Sequence, residues 1–307
     1  MMLTVYVLTR NRAEFLHAMV ESVEKQTKKD YKFVLSDNSE PQFEVNNHDV
    51  KRLCFSIQNF RYARRNGNID LWTHLTQCVN ECDTEYINLL HDDDVLCENY
   101  IEWIFETIEL VPNASAVVPN SYLIDASDKV FGKMRRSESE LVISSQDQLL
   151  KEYFYWKTAG IGCFPFYTYK TQALKLALAE PLTCGYYSDL ETILRIVKES
   201  NIYWSSKVVS RYRMHAQNMS KSENLKDRFA LLEIIETKAA PSSIKMYRCW
   251  MVYAFLTFFI TEKKLSATYI LGSFKRLKPT VVELTGGIIL FFIRATSSLK
   301  KKLGKLA

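Results

Sequence analysis

The sequence lacks any cysteine pair at metal-ligand spacing. Its seven cysteines, at 54, 78, 82, 97, 163, 184 and 249, contain no Cys-x-x-Cys, and their number is odd. That pattern speaks against a disulfide framework and fits reduced thiols in a cytosolic protein. Nor does Met1–Thr9 read as a secretory leader, since it has no basic residues or small-residue cleavage site and turns polar too soon; a strand is expected there. No apolar run reaches the roughly 20 residues that a spanning helix needs; Cys249–Ile260 has twelve and Leu284–Ile293 ten. The turn after the first apolar strand, Thr9-Arg10-Asn11-Arg12, contains no glycine, which counts against a nucleotidyltransferase with a phosphate-cradling loop. Internal repeats and low-complexity tracts are absent as well.

What is present is ordinary globular composition, 47% hydrophobic and 24% charged in 307 residues, enough for one large α/β domain and an appendage. The net charge of +5 conceals an asymmetry. Residues 227–307 carry 14 Lys/Arg against 5 Asp/Glu, a balance of +9, which leaves −4 for residues 1–226. An acidic front joined to a basic tail divides the chain into two jobs, with no sign of a nucleic-acid partner.

Strand and helix patterns alternate through the first half. Thr4–Thr9, Tyr31–Ser36, Leu53–Ile57, Tyr86–Leu90 and Ala114–Pro119 read as strands. Between them Ala13–Gln26, Leu71–Cys82 and Tyr100–Ile108 carry apolar residues at helical spacing. This alternation predicts a mostly parallel, doubly wound sheet whose strand ends at Thr9, Asp37 and His91–Asp94 share one rim. Farther on, Gly132–Ser145 reads as a mobile loop and Gly160-Ile161-Gly162 as a flexible turn. Gln146–Tyr155, Thr171–Ala179 and Ser188–Ser200 read as helices, and Ile202–Tyr212 as an extended closing segment. From about Leu225 the chain becomes helical, apolar and basic. That combination suits an anchor on an anionic membrane surface, the alternative being helices that pack on the domain or dimerise.

The run His91-Asp92-Asp93-Asp94 directly follows a buried strand, where open α/β sheets bind ligands. Adjacent carboxylates repel one another and are best tolerated around a hard divalent cation; the alternative is an acidic cap on the helix that follows. Other candidates carry two readings each. Asp37 suits either an Asx turn or hydrogen bonds from a base or ribose, Asp189 either an N-cap or a general base, and His215 either a structural role or a metal site.

These pieces, taken in order, resemble the family 2 glycosyltransferases of the GT-A fold, over about residues 1–220. The resemblance is carried by Val7-Leu8-Thr9-Arg10-Asn11-Arg12, Tyr31–Ser39, Tyr86–Asp94, Ser188-Asp189-Leu190-Glu191 and Tyr212-Arg213-Met214-His215. It implies an α/β GT-A domain at 1–224, with a nucleotide-binding half at 1–110, an acceptor half at 111–224, and a helical, basic extension at 225–307. It also implies an inverting, Mn²⁺- or Mg²⁺-dependent transfer from a nucleotide sugar, a UDP-sugar favoured. The acceptor would be a glycan or polyprenyl-linked glycan in cell-surface polysaccharide synthesis, at the inner face of a bacterial membrane.

Carried over by residue, Thr9 and Asp37 meet the nucleotide, Asp92 the ribose side and Asp93 the cation. His215 completes the metal site, and the role of Asp94 is left open. Asp189 matches the catalytic base. The sequence departs from the family in having Ser188-Asp189 where Glu-Asp is commonest, which makes Glu191 a rival. Arg64 or Arg65 could add charge near the diphosphate, the alternative being solvated surface. Rings at Tyr153–Trp156 and Phe164–Tyr167 suit an acceptor sugar or simple core. An inactive, glycan-binding scaffold of the same fold is the alternative to an enzyme.

Overall fold

The computed structural model describes residues 2–43, 52, 54–66, 69–135, 138–154, 162–215, 224–261 and 266–303. Ten strands form one sheet. They are β1 (Leu3–Thr9), β2 (Lys32–Asp37), β3 (Phe60–Arg64), β4 (Tyr86–His91), β5 (Val95–Leu96), β6 (Ala114–Ile124), β7 (Val130–Lys133), β8 (Leu141–Ile143), β9 (Thr168–Lys170) and β10 (Asn201–Arg213). The sheet runs β3-β2-β1-β4-β9-β6-β10-β5, with β7 on β6 and β8 on β10.

The first four strands are parallel to one another, and β4 then pairs antiparallel with β9. Every residue of β1 is buried, as expected of a central strand covered on both faces. One face packs against Leu16, Met19, Val20 and Val23 of the helix Ala13–Glu24 and Ile101 and Ile104 of the helix Tyr100–Leu110. Burying each such side chain stabilises by roughly 1.5–3 kcal/mol. The helix Leu71–Glu81 is started by Asp70, whose carboxylate accepts the Trp72 and Thr73 N–H groups, and it buries Leu75, Cys78 and Val79.

Register places the functional rim. Thr9 is level with Asp37 across the β1–β2 pair, and Leu8 is level with His91 across β1–β4. The carboxyl ends of the three strands therefore coincide.

Two elements differ from the sequence reading. The described residues 54–56 of the expected strand Leu53–Ile57 are helical, and the third strand is Phe60–Arg64; Leu53 itself lies outside the described residues. Cys54 and Ile57 both enter the core, one turn apart, so a short apolar run with two inward residues had no period by which to tell helix from strand. The expected loop Gly132–Ser145 instead begins on β7, antiparallel to β6, and includes β8, antiparallel to β10. β7 closes a hairpin on β6, and β8 is the short apolar run Leu141–Ile143 set in a polar stretch; four and three residues are too few to show a strand period. Antiparallel strands thus interleave the second half of a sheet read as mostly parallel.

Residues 1–182 and 189–221 form one compact unit, and residues 183–188 and 222–307 another. The second is built of the helices Leu225–Lys238, Pro241–Leu256, Ala267–Leu277 and Val281–Leu303. Gly287 lets the last helix close on Pro241–Leu256, because a Cβ there would run into the Val252 side chain. Arg248 clamps the pair by donating to Glu283 at 2.9 Å. Among the described residues no helix is long and apolar enough to cross a membrane.

Candidate active site

The ends of β1 and β4 are tied by side chains. Thr9 Oγ1 donates to Asp92 Oδ2 at 2.7 Å, and the Arg10 N–H reaches the same oxygen at 3.3 Å. Asp93 Oδ2 accepts from Arg12 at 2.9 Å and from His215 Nε2 at 2.8 Å. Asp94 Oδ1 accepts the Arg213 N–H at 3.0 Å, while its Oδ2 is buried without a hydrogen-bond partner. Arg213, itself buried, fixes the turn by donating from Nε to the Asp93 carbonyl at 2.7 Å. Beside this cluster lies a cavity of about 240 Å³, lined by Thr9, Arg10, Arg12, Asn38, Leu71, His74, His91, Asp92, Asp93 and Tyr212.

The three carboxylates carry unequal charge. Burial, and then the charge of Asp93, push Asp92 up to about 7. The same two causes raise Asp94 well above the carboxylate range. Burial opposes ionisation of Asp93 too, but His91, the His215 hydrogen bond and Arg12 outweigh it and hold Asp93 low. Burial lowers the pKa of His91, against the pull of the Asp93 charge. His91, Asp93 and Asp94 each offer one ligand atom, all within 4.8 Å of one another. Two carboxylates and an imidazole, with Asp94 Oδ2 an orphan, suit a divalent cation, whose charge would offset the burial and the repulsion that raise Asp92 and Asp94.

The loops beside the cavity are locked to each other. Asn11, in the left-handed region at φ 55°, receives the Glu40 N–H on its side chain at 2.9 Å and donates its own N–H to Ser39 Oγ at 2.9 Å. Asp37 stands on the rim level with Thr9, but its carboxylate accepts from the Ser39 N–H at 2.8 Å and from the Tyr62 hydroxyl at 2.8 Å. It is its neighbour Asn38 that lines the cavity. Arg64 donates to the Asp37 carbonyl at 2.9 Å and Arg65 to Ser36 Oγ at 2.8 Å, so both brace the end of β2. His74 meets Ser36 Oγ at 2.8 Å, and burial drops its pKa to about 4, leaving it neutral against the cavity.

Asp189 is the second residue of the helix Ser188–Glu199. It is half-buried, its Oδ1 accepts the Leu190 N–H at 2.7 Å, and loss of solvent raises its pKa to about 6. Its charge is felt by the buried hydroxyls of Tyr167 and Tyr169. The rival, Glu191, is buried and paired with Arg195 at 2.6 Å. Residues two apart on a helix face different sides, and these two do.

The structure therefore brings Thr9, Asp92, Asp93, Asp94 and His215 into one cluster. Asp37 turns back on its own loop, and Asp189 makes no hydrogen bond to the cluster among the described residues. Of the aromatic candidates, Phe154, Phe166 and Tyr167 are core; Tyr155 and Trp156 lie outside the described residues. Phe164 is half-buried, edge-on to Trp72 at 5.6 Å. Arg12, Asn38, His74 and Arg213 did not stand out in the sequence. Arg12, Asn38 and Arg213 lay inside the segments that carry the resemblance but were given no role of their own there.

The fold agrees with comparisons to known proteins. The chain is similar to S. aureus TarS (residues 1–349) in complex with UDP-GlcNAc, with 14% identity, a TM-score of 0.59, and coverage of 95% of this chain and 89% of that one. The same S. aureus protein bound to UDP gives 13% identity and a TM-score of 0.60 over the same shares. Its longer form gives 15% identity and a TM-score of 0.61, covering 92% of this chain and 50% of that one. No curated protein sequence matches. Residues 4–175 match the sequence model of glycosyl transferase family 2. That stretch spans more than half the chain and includes the acidic rim and both loops beside the cavity, so the protein belongs to glycosyl transferase family 2 and is a glycosyltransferase of GT-A fold.

Proposed function

We propose that this glycosyltransferase works by inversion, depends on a divalent metal, and moves a sugar from a nucleoside diphosphate, UDP favoured, to a glycan or polyprenyl-linked glycan in cell-surface polysaccharide synthesis. The observation that carries the reading is the buried His91/Asp93/Asp94 cluster beside a rim cavity of about 240 Å³, with a separate carboxylate of raised pKa at Asp189. The UDP-GlcNAc and UDP complexes of the similar S. aureus protein support the choice of donor.

In this reading the donor's nucleotide lies against Thr9, Asp92 and the Asp37-Asn38 end of β2, and its diphosphate near Asp93. Asp93, Asp94 and His91, with His215 on Asp93, would hold the Mn²⁺ or Mg²⁺, which when bound supplies charge compensation to the departing diphosphate. Asp189 takes the proton of an acceptor hydroxyl, a poor nucleophile at neutral pH. As that proton leaves, the hydroxyl oxygen bonds to the anomeric carbon, the carbon–phosphate oxygen bond breaks with its electron pair, and the centre inverts. A base whose pKa is about 6 remains ionised at neutrality yet is basic enough to assist.

Residues 1–224 form the transferase and 225–307 an extension for the inner face of the membrane. The exposed Leu271, Val281, Val282, Ile289 and Phe292 support that role, together with the lysines that follow at 300–302 and 305.

The test is a melting-temperature screen of nucleotide sugars with and without Mn²⁺, followed by assay of transfer with the donor that binds. A metal-dependent rise with UDP-sugars and an inverted product support the reading. Binding of donors without release of nucleoside diphosphate, with any acceptor glycan offered, would make the protein a scaffold instead.

A further inference from the structure

The base proposed above is the second residue of its helix, so its placement depends on how the chain enters that helix. The entry is a short turn, Gly185–Tyr187. Residues 183–188 pack as part of the C-terminal compact unit, while Asp189 and the residues after it belong to the first.

One side chain grips this turn. Asp227 Oδ2 accepts the Tyr186 N–H at 2.9 Å, 41 residues away in sequence. Gly185 is in the left-handed region at φ +54°, and a Cβ there would fall 2.5 Å from Asp227 Oδ1 and 2.7 Å from Oδ2. The carboxylate thus lies flush on bare backbone, and glycine is required both for the φ and for the space. Asp227 is itself held, since Asn224 donates to Oδ2 at 2.9 Å and accepts the Asp227 N–H at 3.0 Å as N-cap of the helix Leu225–Lys238. Next along the chain, the Arg228 guanidinium lies 5.9 Å from the centre of the buried Tyr187 ring. A carboxylate fixed at both ends, with the turn pressed on its face, is a clamp whose shape matters more than its charge.

We infer that Asp227 is a positioning residue for Asp189: by clamping Gly185 and Tyr186 it fixes the turn from which the chain enters the catalytic helix two residues before the base. The inference rests on Asp189 being that base.

The test compares Asp227→Ala, Asp227→Asn and Asp227→Glu in the full chain with Asp189→Asn and with the double variant Asp189→Asn/Asp227→Ala. A displaced base costs the chemical step and not donor binding, so Asp227→Ala should lower kcat about 100-fold with the sugar-nucleotide KM within about twofold. Asp227→Asn, which keeps the shape and one acceptor oxygen, should lose only about threefold, whereas Asp227→Glu, which keeps the charge but is too long, should lose about as much as alanine. The double variant should be no slower than Asp189→Asn, because a residue that acts through another adds nothing once the other is gone.

Nucleotide-induced melting shifts show which variants are folded. Should alanine fail that check, the contrast between asparagine and glutamate decides. Equal activity of the glutamate and wild-type proteins, or additive losses in the double variant, would overturn the clamp. Retained transfer by Asp189→Asn would instead remove the base itself, and the clamp with it.

Discussion

His215 Nε2 lies 2.8 Å from Asp93 Oδ2, a contact that joins residues 122 apart in sequence. Phe15 packs on the same imidazole, its ring centre 5.0 Å away. Asp93 is the carboxylate of the acidic run that stays ionised, and His215 is one of the groups that keep it so.

From this follows the first expectation. Removal of metal by a chelator should abolish transfer, and Mn²⁺ or Mg²⁺ should restore it. His215→Ala leaves the His91/Asp93/Asp94 set in place, so it should raise the Mn²⁺ concentration needed for half-maximal rate by about 10–100-fold rather than abolish activity. Titration of the transfer rate with Mn²⁺ measures this, and an unchanged curve would detach His215 from the site.

With Asp189 as the proposed base, its ionisation should set the pH dependence. Its carboxyl must be ionised to accept a proton, so kcat/KM should fall as pH drops through about 6, with little change above about pH 7. Asp189→Asn should keep donor binding and lose transfer at every pH.

The same group governs stability with the opposite sign. A carboxyl raised from 3.8 to about 6 is held more tightly by the proton in the folded state. Its contribution is therefore most favourable below the unfolded value and is lost as pH rises through the folded one. At about pH 7.5 the ionised group weakens the fold, and Asp189→Asn should stabilise it by about 2 kcal/mol. Melting temperatures at about pH 5 and about pH 7.5 test this, the gain being expected only at the higher pH.

Glu191 should behave as a structural acid. It holds Arg195, which also donates to the carbonyls of Ala177 at 2.9 Å and Pro181 at 2.7 Å. Glu191→Gln should cost about 2–4 kcal/mol in denaturant unfolding by leaving a cation without its partner, with transfer retained in the folded fraction. Loss of kcat with unchanged stability would return Glu191 to the role of base.

The apolar face of the last helix gives a further expectation. Val282, Ile289 and Phe292 share one side and are 56%, 53% and 62% exposed, while Glu283 and Gly287 face Pro241–Leu256. The chain should pellet with vesicles containing anionic lipid, less so in high salt, and glutamate at these three positions should weaken binding by about tenfold. Undiminished pelleting would exclude this face as the membrane contact.

Much of the fold was legible because strands covered on both faces leave continuous apolar runs, as in β1, β2 and β4, and because surface helices repeat their inward residues. The acidic rim was legible too, since a run of carboxylates at the end of a buried strand is costly to fold unless a cation or a polar ligand meets it there. Leu53–Ile57 failed because four or five residues hold no distinguishable period. The strands β7 and β8 failed because runs of four and three residues inside a polar stretch are too short to show a period of two.

By itself the sequence determined the alternation of strand and helix, the site at the carboxyl ends of β1 and β4, and the residue types that could meet a metal and a proton. Tertiary structure alone decided the surroundings of each. Asp37 and Asn38 are adjacent, yet the first bonds its own loop and the second lines the cavity. Asp92, Asp93 and Asp94 are chemically identical, yet burial and unequal neighbours make one firmly ionised and the others reluctant. Asp189 and Glu191 stand two positions apart, but Glu191 is paired with an arginine while burial raises the pKa of Asp189. Charge is set by the groups within a few ångströms, and those groups come from parts of the chain that only folding brings together.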